Sequence, residues 1–538
     1  MKTFSFLLFL TASNTFAQAI LSESETKLLN WQNKDLATDS VVGMSTEKAY
    51  NELLSKKPSK KVIVAIIDSG VDTDHEDIKD NVWVNEDEIP GNGIDDDKNG
   101  YVDDVHGWSF LGNPKGENIN HETLEMTRIY KKYSSQFDKV KKEQVSKSDR
   151  EAFDMYQKAK AEYVEKLAEA KSESSSLGDF IKKYNQNDSI LRNYLKTDTF
   201  SVEQMRAIQT DDAEVMNAAK MLSFLKESGV NKDEIEKYLG HIDDKLKYYL
   251  NVNYNPRTII GDDPEKWDGK AYGSNNAKGP DPGHGTHVAG IVAAIRKNGK
   301  GIDGVAINVR IMSVRAVPDG DERDKDIAMA IRYAVDNGAE VINMSFGKGF
   351  SPQKQWVDDA VRYADQKGVI LVHAAGNDAQ NTDVVPSYPS KFYQGSNEYA
   401  KDWLSIGAST MQKGNTLPAF FSNYGKKTVD VFAPGHEIYS LKPGNKYETN
   451  SGTSMAAPMV TGVAALLKSY YPELSAKEII EIIIHSGTDL RKEKITFPGG
   501  KKKLALSKKI KFKKLSKSGR VVNVYQAVLL AEKKTSKQ

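Results

Sequence analysis

The 538-residue chain has no cysteine. That excludes disulfides, thiolate-held zinc, a cysteine nucleophile and lipid attached through cysteine. It also lacks a surplus of either charge, with 75 basic against 74 acidic side chains and a formal charge of +1. The broad basic excess of a nucleic-acid-coating protein is therefore missing, and no nucleic-acid partner is expected. No stretch reaches the roughly 20 apolar residues that span a bilayer, so no transmembrane segment is expected. What remains, 39% hydrophobic and 28% charged residues, is the composition of an ordinary globular chain. At about 150 residues per domain the length allows three to four domains, or one large domain with inserts.

The first 19 residues, MKTFSFLLFLTASNTFAQA, carry a basic Lys2, an apolar run from Phe4 to Leu10 and small residues at Ala17 and Ala19. This is the layout of an export signal cleaved after residue 17 or 19. A secreted or periplasmic protein is expected. Residues 20–60 then form an N-terminal segment or a short propeptide. Without disulfides, stability outside the cell must come from packing and bound metal.

Lys61-Val62-Ile63-Val64-Ala65-Ile66-Ile67 is a continuous apolar run ending in the turn Asp68-Ser69-Gly70. A strand buried on both faces of a parallel sheet reads this way. Similar runs recur at 309–314, 341–344, 369–374, 404–408 and 429–432, with helical patterns at 327–337, 355–367 and 456–471. This alternation predicts an α/β fold with a doubly wound parallel sheet and flanking helices.

Residues 115–270 break the pattern. They are poor in Gly and rich in Lys, Glu, Gln, Ser and Tyr. Ile129, Tyr133, Phe137 and Val140 recur at helical spacing, as do Phe153, Tyr156, Ala159, Tyr163 and Leu167. Ser201 with Gln204, and Asn231 with Glu234, fit helix-start capping boxes. An all-α insert of three to five helices is expected. Further on, Arg491–Lys517 is strongly basic, either a solvated loop or a contact for acidic surfaces. A short helix over 521–530 and a tail, 531–538, close the chain.

Three short motifs carry chemistry. Asp68 ends the first buried strand, the edge where ligands gather in open parallel sheets. His284 opens HGTHVAG, the glycine-rich start of a buried helix. His287 lies three residues on with no Glu between, which does not match a helical zinc pair. Ser454 stands in NSGTSMAAP, just before a helix of small residues, with Pro458 expected in its first turn. A serine there has unpaired backbone N–H groups beside it, suited to a developing oxyanion.

The segments IIDSGVDTDHEDI (66–78), HGTHVAG (284–290), AAGN (374–377) and NSGTSMAAPMVTG (450–462) together resemble the subtilisin-like serine proteases, or subtilases. The resemblance covers about 41–112 and 271–530. The order Asp, His, Ser also departs from α/β-hydrolases, in which the serine comes first. The resemblance implies a catalytic domain over 61–114 and 271–530 and a serine endopeptidase acting on proteins or peptides. Ser454 would be the nucleophile, His284 the base and Asp68 its orienting carboxylate, with Asn377 donating to the oxyanion. Ser345, Phe346, Gly347, Ala375 and Gly376 would line the substrate, and a monomer is expected.

Residues 95–104 place oxygen ligands at Asp95, Asp97, Asn99 and Asp103, with a carbonyl at Tyr101 and a turn at Gly100. This matches the front half of a calcium loop. The resemblance adds Asp77 as a calcium ligand. Calcium is the expected cofactor, with no organic group. The family ordinarily separates its Asp and His by some tens of residues, whereas here they are 216 positions apart. The insert accounts for the excess and is expected to act as a lid or a substrate-selecting wall.

Overall fold

The computed structural model describes residues 29–499 and 509–536. The proposed export signal and Lys501–Lys503 of the basic stretch lie outside them. The described chain divides into two compact units, 126–254 and the remainder.

The larger unit is built on strands β1 (Val62–Asp68), β2 (Gly107–Ser109), β3 (Val309–Arg315), β4 (Val341–Met344), β5 (Ile370–Ala374), β6 (Trp403–Ser409), β7 (Val431–Pro434), β8 (Ile438–Lys442), β9 (Lys446–Asn450), β10 (Thr488–Asp489), β11 (Lys494–Ile495), β12 (Ile510–Lys511) and β13 (Arg520–Val521). Nine form one sheet in the order β10-β13-β7-β6-β5-β4-β1-β3-β2, parallel except for the β10–β13 pair. β8 and β9 form a separate antiparallel hairpin, and β11 pairs with β12.

The apolar runs reflect burial on both faces. Along β1, Val62, Val64 and Ile66 join one core cluster while Ala65 and Ile67 join another. The first cluster takes the helices Gly283–Ala293, Thr453–Tyr470, Ala476–Ser486 and Val524–Thr535. The second takes Asp324–Asp336 and Lys354–Gln366 on the opposite face. The fold is thus α/β with helices on both sides of a mostly parallel sheet. Each of the six expected strands is present, 341–344 as expected and the others with ends within two residues of expectation.

β1 pairs with β3 on one side and β4 on the other. Strand order reverses there, and the carboxyl ends of β1 and β4 flank a crevice, the favoured ligand position in such sheets.

Residues 31–54 pack within the first core cluster through Trp31, Met44, Ala49, Tyr50 and Leu54. The Val524 N–H donates to Met44 O (2.7 Å), and Asn523 Nδ2 donates to Ser45 Oγ (2.9 Å). The segment is part of the sheet's own core.

The 126–254 unit is helical, with Arg150–Leu195, Ala213–Glu227 and Lys232–Asp244 as its main elements after Glu125–Phe137. Tyr130 stacks on Tyr163 with centroids 4.4 Å apart, and Phe137 meets Phe153 edge-on. Leu191, Met205, Val215, Ala218 and Leu222 form a second small core. Ser201 and Gln204 form a reciprocal capping box. Asn231 caps its helix through Asp233 N–H alone. Residues 115–125 and 255–270 belong to the larger unit. There, buried Arg257 grips Asp326 through two hydrogen bonds of 2.7 and 2.8 Å.

Candidate active site

β1 delivers Asp68, 1% exposed, to the crevice. The helix Gly283–Ala293 starts directly over it. Gly285 makes that approach possible, because a β-carbon there would lie 2.1 Å from Gly70 O and 3.1 Å from the Asp68 side chain. His284 Nδ1 then sits 2.7 Å from Asp68 Oδ1, which also accepts the Ser69 N–H at 2.8 Å. A carboxylate can only accept, so Nδ1 carries the proton and the other ring nitrogen is left as a base. Burial pulls the His284 pKa down. The Asp68 charge and hydrogen bond outweigh burial and hold it above the ordinary histidine value.

Arg315, at the end of β3, braces this turn from below. Its Nε donates to Ser69 O (3.1 Å) and Nη2 to Ile119 O (2.5 Å). Burial lowers its pKa to about 10, so it stays charged at neutral pH. Asp68, His284, Arg315 and Ser345 line one cavity of about 290 Å³ with Asn120, Asp281 and Asp319.

Ser454 is the second residue of the helix Thr453–Tyr470. Its Oγ donates to Ser345 O at 3.1 Å, and Ser345 Oγ donates back to Ser454 O at 2.9 Å. The second bond has a cause in the sequence. Pro458 lies in the helix interior, not in the first turn as expected. Its missing N–H leaves the carbonyl four residues earlier, that of Ser454, without a helical donor. Ser345 supplies one, and Asn343 Nδ2 in turn donates to Ser345 Oγ (2.9 Å).

Ala375, Gly376 and Asn377 follow β5. Gly376 N–H donates to Thr453 Oγ1 (3.0 Å), and Thr453 Oγ1 donates to Asn377 Oδ1 (3.0 Å). Thr453 N–H also donates to Asn377 Oδ1, at 2.9 Å. With its oxygen engaged twice, the Asn377 amide keeps its NH2 to donate elsewhere. A β-carbon added at Gly452 would lie 3.5 Å from both Asn377 Nδ2 and Ser454 N. Two donor nitrogens therefore border one small space that glycine leaves open, a placement that suits a developing oxyanion.

His287 faces away from this chemistry. Its Nε2 lies 3.1 Å from Ile438 O and 3.3 Å from Glu448 O, tying the helix to the β8–β9 hairpin. Burial pushes its pKa down to about 4.

The acidic loop is only partly as the spacing implies. Asp95 and Asp97 offer carboxylate oxygens within 4.8 Å of one another and of Glu88, a residue the spacing did not single out. Glu88 is brought in by accepting the Asp96, Asp97 and Asp103 N–H groups. Asn99 bonds Asp97 through its Nδ2 (2.9 Å), and the Tyr101 N–H donates to Asn99 Oδ1 (2.8 Å). Asp103, with φ +53°, turns its carboxylate away to accept the Gly91, Asn92 and Gly93 N–H groups. Asp77 is elsewhere, fully buried, with Asn298 Nδ2 2.5 Å from its Oδ1. Burial pushes its carboxyl up to about 6. Among the described residues it joins no group of three metal-binding side chains. No helix among them is long and apolar enough to cross a membrane.

Comparison with known proteins places these features in context. The chain is similar to a "Thermophilic serine proteinase" of Bacillus sp. (strain AK1), 46% identical over 188 residues, 35% of this chain and 42% of that protein. "Subtilisin DY" of Bacillus licheniformis is 40% identical over 215 residues, 39% of this chain and 71% of its own. "Thermitase" of Thermoactinomyces vulgaris is 45% identical over 188 residues, 35% of this chain and 61% of its own. The chain thus spans less than half the length of the first of these. The family model described as "Subtilase family" matches residues 59–501, from the strand that ends in Asp68 to beyond the serine helix. By that match the chain belongs to the subtilase family of serine proteases.

Proposed function

We propose that the protein is an exported serine endopeptidase. Ser454 Oγ attacks the peptide carbonyl while His284 takes its proton, and Asp68 holds the imidazole in the Nδ1–H tautomer and stabilises the imidazolium. The new C–O bond puts negative charge on the carbonyl oxygen, which sits between Asn377 Nδ2 and Ser454 N. The C–N bond then breaks, His284 returns the proton to the leaving amine, and water hydrolyses the acyl-enzyme by the same path. The observation that carries this reading is the 2.7 Å Asp68–His284 bond together with the two donor nitrogens bordering the gap at Gly452. Ser345, Phe346 and Gly347 form one rim for a substrate bound as an added strand. Ala375 and Gly376 form the facing wall.

The Glu88–Asp95–Asp97 cluster fits calcium, a hard cation that takes carboxylate oxygens. In this reading Glu88, Asp95 and Asp97 would hold the ion, which would neutralise their mutual repulsion and stiffen the loop. Asp77, closed off by the Asn298 amide, is the weaker candidate. Export rests on residues 1–19. Arg491 is held by Asp489 (2.6 Å); the basic stretch 491–517 is proposed as a contact for acidic surfaces. A monomer is the working form.

We read the 126–254 unit as a lid or selecting wall. The chain leaves for it five residues after Asn120, which lines the cavity. Replacing 126–254 by a short linker should alter the ratio of large- to small-substrate cleavage. A folded deletion with an unchanged ratio removes the lid.

The catalytic reading is tested with a fluorophosphonate. Wild type should be labelled and cleave casein, and Ser454→Ala should do neither. Folded wild type that is not labelled and cleaves nothing overturns the assignment.

A further inference from the structure

β5 has an anomaly just before the Ala375–Asn377 segment. Its residues alternate between the two cores: Ile370, Val372 and Ala374 in one, Leu371 in the other. His373 takes the next place on the Leu371 face, among apolar neighbours, and is 3% exposed. Its ring lies 5.4 Å from Trp403 and edge-on to Phe346 at 6.4 Å. A leucine or methionine would suit that surface better, since a buried polar ring is costly unless it is hydrogen-bonded.

One bond answers that cost. His373 Nε2 lies 2.9 Å from Phe346 O. A carbonyl can only accept, so the proton is on Nε2. Burial depresses the His373 pKa to about 4, so the ring is neutral and holds this one tautomer at working pH.

The bond fixes more than the carbonyl. In a trans peptide the C=O and the following N–H point in opposite directions. Phe346 O turned inward to His373 therefore turns the Gly347 N–H outward, at a residue that is itself exposed. The rim is held on both sides of this peptide. Ser345 exchanges two hydrogen bonds with Ser454. Lys348 and Tyr388 exchange two backbone bonds of 2.9 Å. Between them, among the described residues, His373 holds the carbonyl of the 346–347 peptide, and its Nε2 lies 3.5 Å from where a Gly347 β-carbon would be.

We infer that His373 is a positioning residue for extended substrates: by clamping the Phe346 carbonyl it presents the Gly347 N–H to the backbone of a bound polypeptide. This rests on the protease reading above. The role is selective. A substrate that occupies only the bond-breaking position does not reach Gly347, whereas one with several residues on its acyl side pairs with it as an added strand.

The test compares His373→Leu, His373→Asn and His373→Gln in the full chain. Each is assayed on a tetrapeptide anilide and on a single-residue ester of the same acyl residue. The Gln amide reaches the Nε2 position, whereas the shorter Asn amide does not. For Leu and Asn, kcat/KM on the tetrapeptide should fall about tenfold or more beyond any fall on the ester, mainly through KM, since small misplacement of a binding group costs up to about 10²-fold. Gln should stay within about threefold of wild type, on the same reasoning. Parallel losses on both substrates, or Gln no better than Asn, overturn the role. If the Leu variant does not fold, the Asn and Gln pair decides. Absence of fluorophosphonate labelling in wild type takes down the protease reading itself. Labelling with parallel losses takes down His373 alone.

Discussion

Trp31→Ala asks whether the N-terminal segment belongs to the working enzyme. The side chain is 1% exposed within the sheet's first core cluster, and its Nε1 donates to Glu437 O at 3.1 Å. Truncating a buried tryptophan leaves a cavity and costs about 3–5 kcal/mol. The lost hydrogen bond adds little. The bond is only part-buried, so water can replace the donor. Set against a total stability of roughly 5–15 kcal/mol, this is a large share. At about 1.4 kcal/mol per tenfold, the unfolding constant rises about 140- to 4000-fold. The assay is urea unfolding followed by circular dichroism, in a Ser454→Ala background to prevent self-digestion. The midpoint should fall with the slope unchanged. Intact mass of the mature enzyme should place its first residue at or before Trp31. A loss under about 1 kcal/mol, against the range expected for such a truncation, refutes the reasoning. So does an active mature chain beginning beyond Leu54, because residues 31–54 would then be a removable propeptide.

Other outcomes follow from the site. Asp68 raises the His284 pKa and His284 must be neutral to act as base, so activity appears as pH rises through that raised value. Asp68→Asn leaves burial acting alone. The acid limb of kcat/KM should move to lower pH while the maximal rate falls about 10⁴-fold, and an unmoved limb refutes the coupling. The same pair stabilises the fold fully below the unfolded histidine pKa of about 6.5 and less as pH climbs through the folded value. That contribution should vanish in the variant. Gly452→Ala puts a methyl between Asn377 Nδ2 and Ser454 N, and kcat should fall on the order of 10²–10³-fold with KM little changed. An unaffected kcat removes the oxyanion role of that space. Calcium at about 100 times its Kd should add about 2.7 kcal/mol of stability, and Glu88→Gln should shrink the gain. A wild-type melting temperature indifferent to calcium and chelator refutes the site.

What was legible in the sequence is what physical patterning makes local. The six central strands are buried on both faces, so each is a contiguous apolar run. The β8–β9 hairpin is half solvated, and its β9 residues, Lys446–Asn450, are partly or fully exposed. It left no such run, although it covers His287. β10 to β13 are two residues each, too short for any period. Asp68, His284, Asn377 and Ser454 stand in glycine-rich junctions that could be recognised together. Glu88 could not, because it meets Asp95 and Asp97 through backbone N–H groups across a loop, at no fixed spacing. Asp103 had the right spacing, but its left-handed backbone turned the carboxylate to 91–93 instead.

The 216-residue gap between Asp68 and His284 has no bearing on their 2.7 Å separation, and loop physics explains why. Closing a flexible loop costs only about 0.6 kcal/mol more for each doubling of its length. The interruption at 126–254 is not even a flexible loop, since it buries its own aromatic and aliphatic clusters. The cost of carrying it therefore falls on the two places where the chain departs and returns. Both are fastened to the segment that follows β3. Before the departure, the Glu125 N–H donates to Asp321 Oδ2 at 2.7 Å. After the return, Arg257 holds Asp326 and Asp262, and Asn113 Nδ2 donates to Ile259 O at 2.7 Å. Ser274 then pairs with Ser109, beside β2, before the chain reaches His284. With both ends held, the registration of the Gly283–Ala293 helix over Asp68 depends on Gly285 and on the sheet. The insert is thus free to differ in length and sequence without moving the histidine.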